Sequence, residues 1–185
     1  MEEDVLSSRF EVALGNLVHA ALAWVSDQST LLADPSAAMH NLSHRWNYWL
    51  TDEWLGSTRR DELLEQAQQQ LEAVLGDAEG QWLLAPRSES FSEYRLTGWR
   101  DNVLSHVVID RLFIEDDVCW IVDYKTARPT GQAKSEQALF EQEELARYTP
   151  QLMRYADIVR CMHSRPIQAA LYFTATQRLV HVPIE

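Results

Sequence analysis

Apolar residues recur at three- and four-residue intervals in the first part of the chain, the spacing that places side chains on one face of a helix. This pattern predicts a long helix over residues 5–27, whose apolar face carries Phe10, Leu14, Leu17, Val18, Ala21, Leu22 and Val25. A polar break at 28–35 separates it from further helices, which we expect over Ala37–Trp54 and Arg59–Leu75. The first half of the chain is therefore predicted to be helical.

Strand-like patterns begin after residue 88. Ser90–Trp99 alternates loosely between apolar and polar residues and is expected to form the first strand. Val107–Thr126 contains two apolar runs, rich in β-branched residues, on either side of the acidic tip 115–117, and this arrangement predicts a hairpin. Two closing strands are expected at Ile167–Thr174 and Leu179–Ile184.

A helical region lies between the hairpin and the closing strands. Ala138–Arg147 is expected to be helical after a polar loop. Thr149 has the side chain of an N-cap, and Pro150 suits the first position of a helix. We therefore predict that a second helix starts there and runs to Met162.

Length and composition favour one globular domain. The chain has 185 residues, of which 46% are hydrophobic and 24% are charged, values that are typical of a folded protein rather than a disordered tail. The N-terminal sequence has no basic segment followed by an apolar one, and no apolar run approaches the roughly 18 residues of a membrane span. We therefore expect a cytoplasmic protein without a membrane anchor.

Charge and cysteine content narrow the function classes. The formal net charge is −12, whereas the domain of a free-standing, high-affinity DNA binder is usually basic. The chain has two cysteines, too few for an iron–sulfur cluster on four cysteines. Cys119 lies in an apolar run and is expected to be a small core residue.

The hairpin carries the candidate chemistry. If its turn is centred between Asp116 and Asp117, paired positions have residue numbers that add to 233, which places Asp110 opposite Asp123. Like charges at such positions destabilise a sheet, but paired carboxylates suit a divalent cation. Lys125 follows Asp123 by two residues and shares its face of the strand. A three-residue turn would offset the carboxylates, and an ordinary hairpin with exposed charges is the alternative interpretation.

Four motifs occur in order along the chain: G-N-L-V-H at 15–19, I-D-R-L-F at 109–113, V-D-Y-K-T at 122–126 and Q-L-M-R-Y at 151–155. In this combination the chain resembles the RecB- and AddA-type nuclease domains of the PD-(D/E)XK superfamily, the C-terminal part of UvrD-like helicase-nucleases. The resemblance implies an α/β fold with a restriction-endonuclease-like mixed central sheet flanked by helices. The whole chain, 1–185, would be a single domain, with an all-helical insertion at about 36–85 and the core sheet and helix at about 89–185.

The resemblance also implies which residues form the site. The catalytic residues would be Asp110, Asp123 and Lys125. The cofactor would be Mg²⁺ or Mn²⁺, without an iron–sulfur cluster, and the metal ligands would be His19, Asp110, Asp123 and the carbonyl of Tyr124. The residues expected to position or contact DNA are Gln151, Tyr155, Arg111 and Glu93. For Glu93, an exposed strand acid without a role is an equal alternative.

The implied activity is metal-dependent hydrolysis of DNA phosphodiesters. The expected enzyme is an exonuclease that acts in double-strand-break repair and recombination, as the nuclease domain or subunit of a helicase-nuclease. Its partners would be DNA and a UvrD-like helicase domain or subunit. The alternative is a nuclease-like module that binds DNA or a helicase without cleaving.

Overall fold

The computed structural model describes residues 2–28, 30–50, 56–100, 103–131 and 133–184. The described elements are, in chain order, α1 (Glu2–Ser26), α2 (Pro35–Trp49), α3 (Ser57–Gly76), α4 (Ala78–Leu84), β1 (Ser90–Arg100), β2 (Val103–Glu115), β3 (Val118–Lys125), α5 (Lys134–Arg160), β4 (Ile167–Phe173) and β5 (Arg178–Val182). They form two compact units. The helical unit contains the described residues up to Pro86 together with 125–127 and 174–177, and the sheet unit contains the others. A single domain over 1–185 stays a prediction.

The helical unit contains the helices that the sequence predicts. Helix α1 matches the expected long helix, and α3 ends at Gly76, one residue beyond the prediction. Helix α2 ends at Trp49, whereas its expected end at Trp54 lies outside the described residues. Among the helices in the described part of the chain, none combines the length and apolar character that a membrane crossing requires.

Helix α3 is central to the helical unit, since it contacts α1, α2 and α4. Its buried face is apolar with one exception, and its members are Leu63, Ala67, Gln70, Leu71, Val74 and Leu75. The exception is Gln70, which is only 3% exposed. A buried amide costs free energy unless its polar atoms are hydrogen-bonded, so the partners of Gln70 are informative.

The β2–β3 hairpin has the predicted register. Paired residue numbers add to 233 from Arg111–Val122 to Glu115–Val118. The turn residues Asp116 and Asp117 have φ angles of 50° and 62°, and a two-residue type I′ turn requires positive φ at both positions. The symmetric turn on which the prediction depended is therefore confirmed.

The five strands form one mixed sheet in the order β1-β2-β3-β4-β5. The pairs β1–β2, β2–β3 and β4–β5 are antiparallel. Strands β3 and β4 run in the same direction, because Cys119 donates its N–H to Pro166 near their starts and Thr174 donates its N–H to Lys125 near their ends. Helix α5 supplies the crossover that parallel neighbours need. The α/β class with a mixed sheet is confirmed.

The core of the sheet unit lies between the sheet and α5. Leu152, Ala156 and Val159 of α5 pack with buried residues of β2, β3 and β4. Gly98 allows α5 to lie close to β1, because a Cβ atom there would be 3.0 Å from the Ile158 side chain. Cys119 is fully buried in this core, as expected, and burial raises the pKa of its thiol to about 11.

The prediction of two helices before the closing strands is wrong. Helix α5 is continuous and contains Pro150 in its interior. Thr149 is not an N-cap, since its hydroxyl donates to the carbonyl of Leu145, one turn earlier in the same helix, at 2.7 Å. Local signals favoured a helix start at Thr149-Pro150, but residues of α5 beyond Pro150 pack on the sheet, and tertiary packing overrides such signals.

Candidate active site

Two carboxylates meet where β1 pairs with β2. Ser92 pairs with Arg111 and Tyr94 with Ile109, so Glu93 occupies the register position opposite Asp110. Carboxylate oxygens of Glu93 and Asp110 lie within 4.8 Å of each other. Two ionised carboxylates this close repel each other, and a hard cation with oxygen ligands removes the repulsion. Strand pairing thus places Glu93 beside Asp110, and a site role for Glu93 stays a prediction.

The backbone of Glu93 is strained. Its φ angle is 49°, in the left-handed region that few non-glycine residues adopt. Such a conformation costs about 1–3 kcal/mol and persists where the surrounding structure determines it. The register between β1 and β2 is the same on both sides of Glu93, so the strain is confined to the position that faces Asp110.

Asp110 is held by the neighbouring strand on its other side. Its Oδ2 accepts a hydrogen bond from the backbone N–H of Tyr124 in β3 at 2.8 Å. Asp110 and Asp123 stand one position beyond the Arg111–Val122 pair of the hairpin, and their residue numbers also add to 233. The hydrogen bond fixes the direction of the Asp110 carboxylate relative to the end of β3.

Asp123 belongs to a different hydrogen-bond network, which connects β3 to α5. It is 3% exposed, and its Oδ1 accepts from Nε2 of Gln151 at 2.9 Å. The same Nε2 donates to the hydroxyl of Tyr155 at 2.6 Å. An ionised carboxylate only accepts hydrogen bonds, so Asp123 determines that the amide nitrogen of Gln151 faces it. Gln151 and Tyr155 lie one turn apart on α5, as the sequence predicts.

Tyr155 is a neutral member of this network. Burial and the negative charge of Asp123 raise the pKa of its phenol to about 12, although the hydrogen bond from Gln151 acts in the opposite direction. The phenol therefore stays protonated at neutral pH. Its hydroxyl proton can be donated to a phosphate oxygen or a water molecule without adding a negative charge beside Asp123.

Lys125 is the last residue of β3 and is partly buried. The alternation of side chains along a strand places it on the same side of β3 as Asp123. Its carbonyl accepts the backbone N–H of Thr174 at 2.9 Å. The sequence pattern indicates no role for Thr174, which stands out only as a hydroxyl residue at the end of an apolar strand.

Arg111 does not lie where DNA could contact it. It is 1% exposed, and its Nη1 donates to the hydroxyl of Ser92 at 3.1 Å. A guanidinium buried in this way connects β2 to β1, so the expectation that Arg111 contacts DNA is corrected. The side chain of Tyr124 is also buried, and burial raises the pKa of its phenol well above the ordinary value.

His19 lies on α1 in the helical unit and is partly buried. Gly15 lies one turn earlier on the same helix. A Cβ atom on Gly15 would meet the Thr126 hydroxyl at 3.6 Å, an ordinary contact distance, so its neighbour is a side chain. A ligand role for His19 stays a prediction.

The donor set of the sheet unit fits a divalent cation. Glu93 and Asp110 supply carboxylate oxygens, the ligands that Mg²⁺ and Mn²⁺ prefer, at positions fixed by strand pairing. Asp123 adds a third carboxylate at the adjacent register position of β3. Glu93, which was expected to position or contact DNA, thus lies opposite the predicted ligand Asp110.

Comparison with known protein families agrees with this geometry. The model of the PD-(D/E)XK nuclease superfamily matches residues 2–183. No curated protein matches the chain. The match covers nearly the whole sequence, including the candidate residues on α1, β1, β2, β3 and α5.

Proposed function

The chain belongs to the PD-(D/E)XK nuclease superfamily, and from this membership we propose that it is a Mg²⁺- or Mn²⁺-dependent deoxyribonuclease. The observation that carries the proposal is the strained placement of Glu93 on β1 opposite Asp110 on β2. Strand β2 is the neighbour of β3, which ends in Lys125. Opposed acids are unfavourable for folding alone, whereas two carboxylates that hold a metal ion serve the hydrolysis of a phosphodiester.

The proposed metal ligands are Asp110, Asp123 and Glu93, with His19 and the carbonyl of Tyr124 completing the set. A divalent cation bound there would lower the pKa of a coordinated water and offset charge on the phosphate. Lys125 orients the attacking water or stabilises the charge that develops on the phosphate. Its ammonium is a compact point charge, which the planar guanidinium of arginine does not reproduce.

Gln151 and Tyr155 position the substrate in this proposal. The amide of Gln151 holds the Asp123 carboxylate in one direction by the 2.9 Å hydrogen bond. The neutral phenol of Tyr155 offers its proton to a phosphate oxygen. Neither residue adds charge, so both can bind the substrate without competing with the carboxylates for a cation.

We further propose an exonuclease that works in double-strand-break repair with a UvrD-like helicase domain or subunit. The support is the resemblance of the four motifs to RecB- and AddA-type domains. The net charge of −12 agrees with a nuclease that receives its DNA from a partner, since such an enzyme needs no strongly basic surface.

The test is digestion of end-labelled linear and circular DNA, single- and double-stranded, with Mg²⁺, Mn²⁺ or EDTA. Wild type should degrade linear DNA only, and only with a metal. Asp110→Asn and Asp123→Asn should lower the rate by roughly two orders of magnitude or more, because each removes a charged metal ligand. The matched control is Glu143→Gln, which removes the charge of a solvent-exposed acid of α5 and should keep the wild-type rate.

Lysine variants complete the design. Lys125→Ala and Lys125→Arg should both lose activity, and Lys134→Ala should not, since Lys134 is exposed at the start of α5. Cleavage of circular DNA would show that the enzyme is an endonuclease and not an exonuclease. Wild-type rates in both Lys125 variants would remove that residue from the mechanism. A wild type that never cleaves but binds DNA would support the non-cleaving module instead.

A further inference from the structure

Gln70 is a buried polar residue within the apolar face of α3. It is 3% exposed, and its neighbours on that face are alkyl side chains such as Ala67 and Leu71. An amide in this position costs roughly 1–3 kcal/mol if its hydrogen bonds are not made. The residue therefore acts through the groups to which it is bonded.

The partners of Gln70 lie at the end of β3 and just after β4. Its Oε1 accepts from the hydroxyl of Thr174 at 2.5 Å, and its Nε2 lies 3.4 Å from the carbonyl of Thr126, to which it donates. Thr174 is fully buried and donates its backbone N–H to the carbonyl of Lys125 at 2.9 Å. Gln70 and Thr174 thus bind two consecutive carbonyls, those of Lys125 and Thr126, and we call this pair the strand-end clamp.

The two members of the strand-end clamp depend on each other. The Thr174 hydroxyl also lies 3.2 Å from the carbonyl of Lys125, but it has one proton. The shorter distance to Gln70 shows which acceptor receives that proton. Gln70 therefore fixes the Thr174 side chain, and Thr174 fixes the backbone of Lys125. All four residues of the network belong to the helical unit.

We propose that the strand-end clamp is a positioning device for Lys125, so that Gln70 acts on catalysis through that lysine. The inference rests on the proposed nuclease function. The Lys125 ammonium is carried on a four-carbon chain that starts from this backbone, so a shift of the backbone also shifts the ammonium. A displacement of a catalytic group by about 1 Å can cost about 100-fold in rate. Helix α3 thereby takes a functional role in addition to packing.

The kinetic test uses neighbouring glutamines of α3. Gln70→Met removes both polar functions at nearly constant volume and should lower kcat about 10- to 100-fold, with KM unchanged within about twofold. The matched control is Gln69→Met, since Gln69 is exposed and its amide donates to the exposed Glu65. Thr174→Ser keeps the hydroxyl and should retain activity, whereas Thr174→Val should behave like Gln70→Met.

A double-variant cycle separates positioning from a general loss of structure. If Gln70 acts through Lys125, Gln70→Met should lower the rate of Lys125→Ala no further than about twofold. Additive losses in the double variant would overturn the proposal. Equal kcat in Gln70→Met and wild type would also overturn it.

A spectroscopic test does not depend on cleavage. The chain has two lysines, Lys125 and Lys134, so protein labelled with ¹³C-lysine gives two sets of side-chain signals. Gln70→Met should shift the Lys125 signals and speed amide hydrogen exchange at Thr174, with the Lys134 signals unchanged as an internal control. If these observables match wild type, the clamp does not hold Lys125. If they change while wild type cleaves no DNA, the clamp stands and the nuclease assignment has failed.

Discussion

At the scale of single residues, the site combines charged groups with neighbours that are kept neutral. Asp123 accepts a hydrogen bond from Gln151, and Gln151 in turn donates to the neutral Tyr155. The carboxylates therefore supply the negative charge of the site, while the phenol and the amide supply direction. Such a division suits a site that has to hold a cation and a phosphate together.

The raised pKa of Tyr155 predicts a pH dependence of stability. The ordinary pKa of 10.0 applies to the unfolded chain, and about 12 applies to the folded protein, so the unfolded state loses its proton first as pH rises. Stability should be fully present below pH 10 and should fall between pH 10 and 12, by about 2–3 kcal/mol from this residue. Urea denaturation at several pH values should show the fall in wild type and a smaller slope in Tyr155→Phe.

Tyr124 adds to the same alkaline loss, since its pKa is raised as well. The informative quantity is therefore the difference between the slopes of the two pH profiles, which should correspond to about one proton released per unfolding event. Parallel profiles in wild type and Tyr155→Phe would show that the phenol of Tyr155 ionises equally in both states.

A site residue can be predicted from the sequence when local spacing determines its position. Asp110, Asp123 and Lys125 stand at fixed spacings on one hairpin, so the pattern identifies them. The pairing of Glu93 with Asp110 depends on the register of β1 and on a left-handed backbone, which the pattern of side chains does not encode. Gln70 was missed because it stands beside glutamines that look identical in the sequence, and only its burial distinguishes it.

At the scale of elements, the hairpin and α5 show when local signals suffice. The hairpin register depends on the two-residue turn at Asp116 and Asp117, which is local, and it was predicted correctly. Helix α5 crosses Pro150, and its continuity depends on packing against the sheet, which is not local. A proline inside a helix removes one hydrogen bond and its ring presses on the preceding turn.

Replacing Pro150 should stabilise α5. Pro150→Ala restores an N–H that can donate to the carbonyl of Ala146 and removes the steric conflict, for a gain of about 1–3 kcal/mol in the free energy of unfolding. Pro150 is exposed, so no core packing is lost. Chemical denaturation gives the measurement, with Ala146→Gly as a control that should destabilise the same exposed turn. A loss of stability in Pro150→Ala would contradict this expectation.

At the scale of the whole molecule, acidity and metal binding are connected. The net charge of −12 opposes compactness through self-repulsion, and any cation screens this repulsion non-specifically. The close pair of Glu93 and Asp110 is a local and stronger source of the same repulsion. A specific metal site must therefore be distinguished from general screening of an acidic protein.

Thermal unfolding makes this distinction. A cation that binds the folded state adds RT ln(1 + [L]/Kd) to its stability, about 2.7 kcal/mol at 100-fold excess over Kd. Mn²⁺ or Mg²⁺ should raise the Tm of wild type by several degrees relative to NaCl at equal ionic strength. Glu93→Gln and Asp110→Asn should lose most of this rise, whereas Glu143→Gln, which removes the same charge from an exposed position, should keep it. An equal rise in all four proteins would assign the effect to screening and would leave the carboxylate pair without a metal.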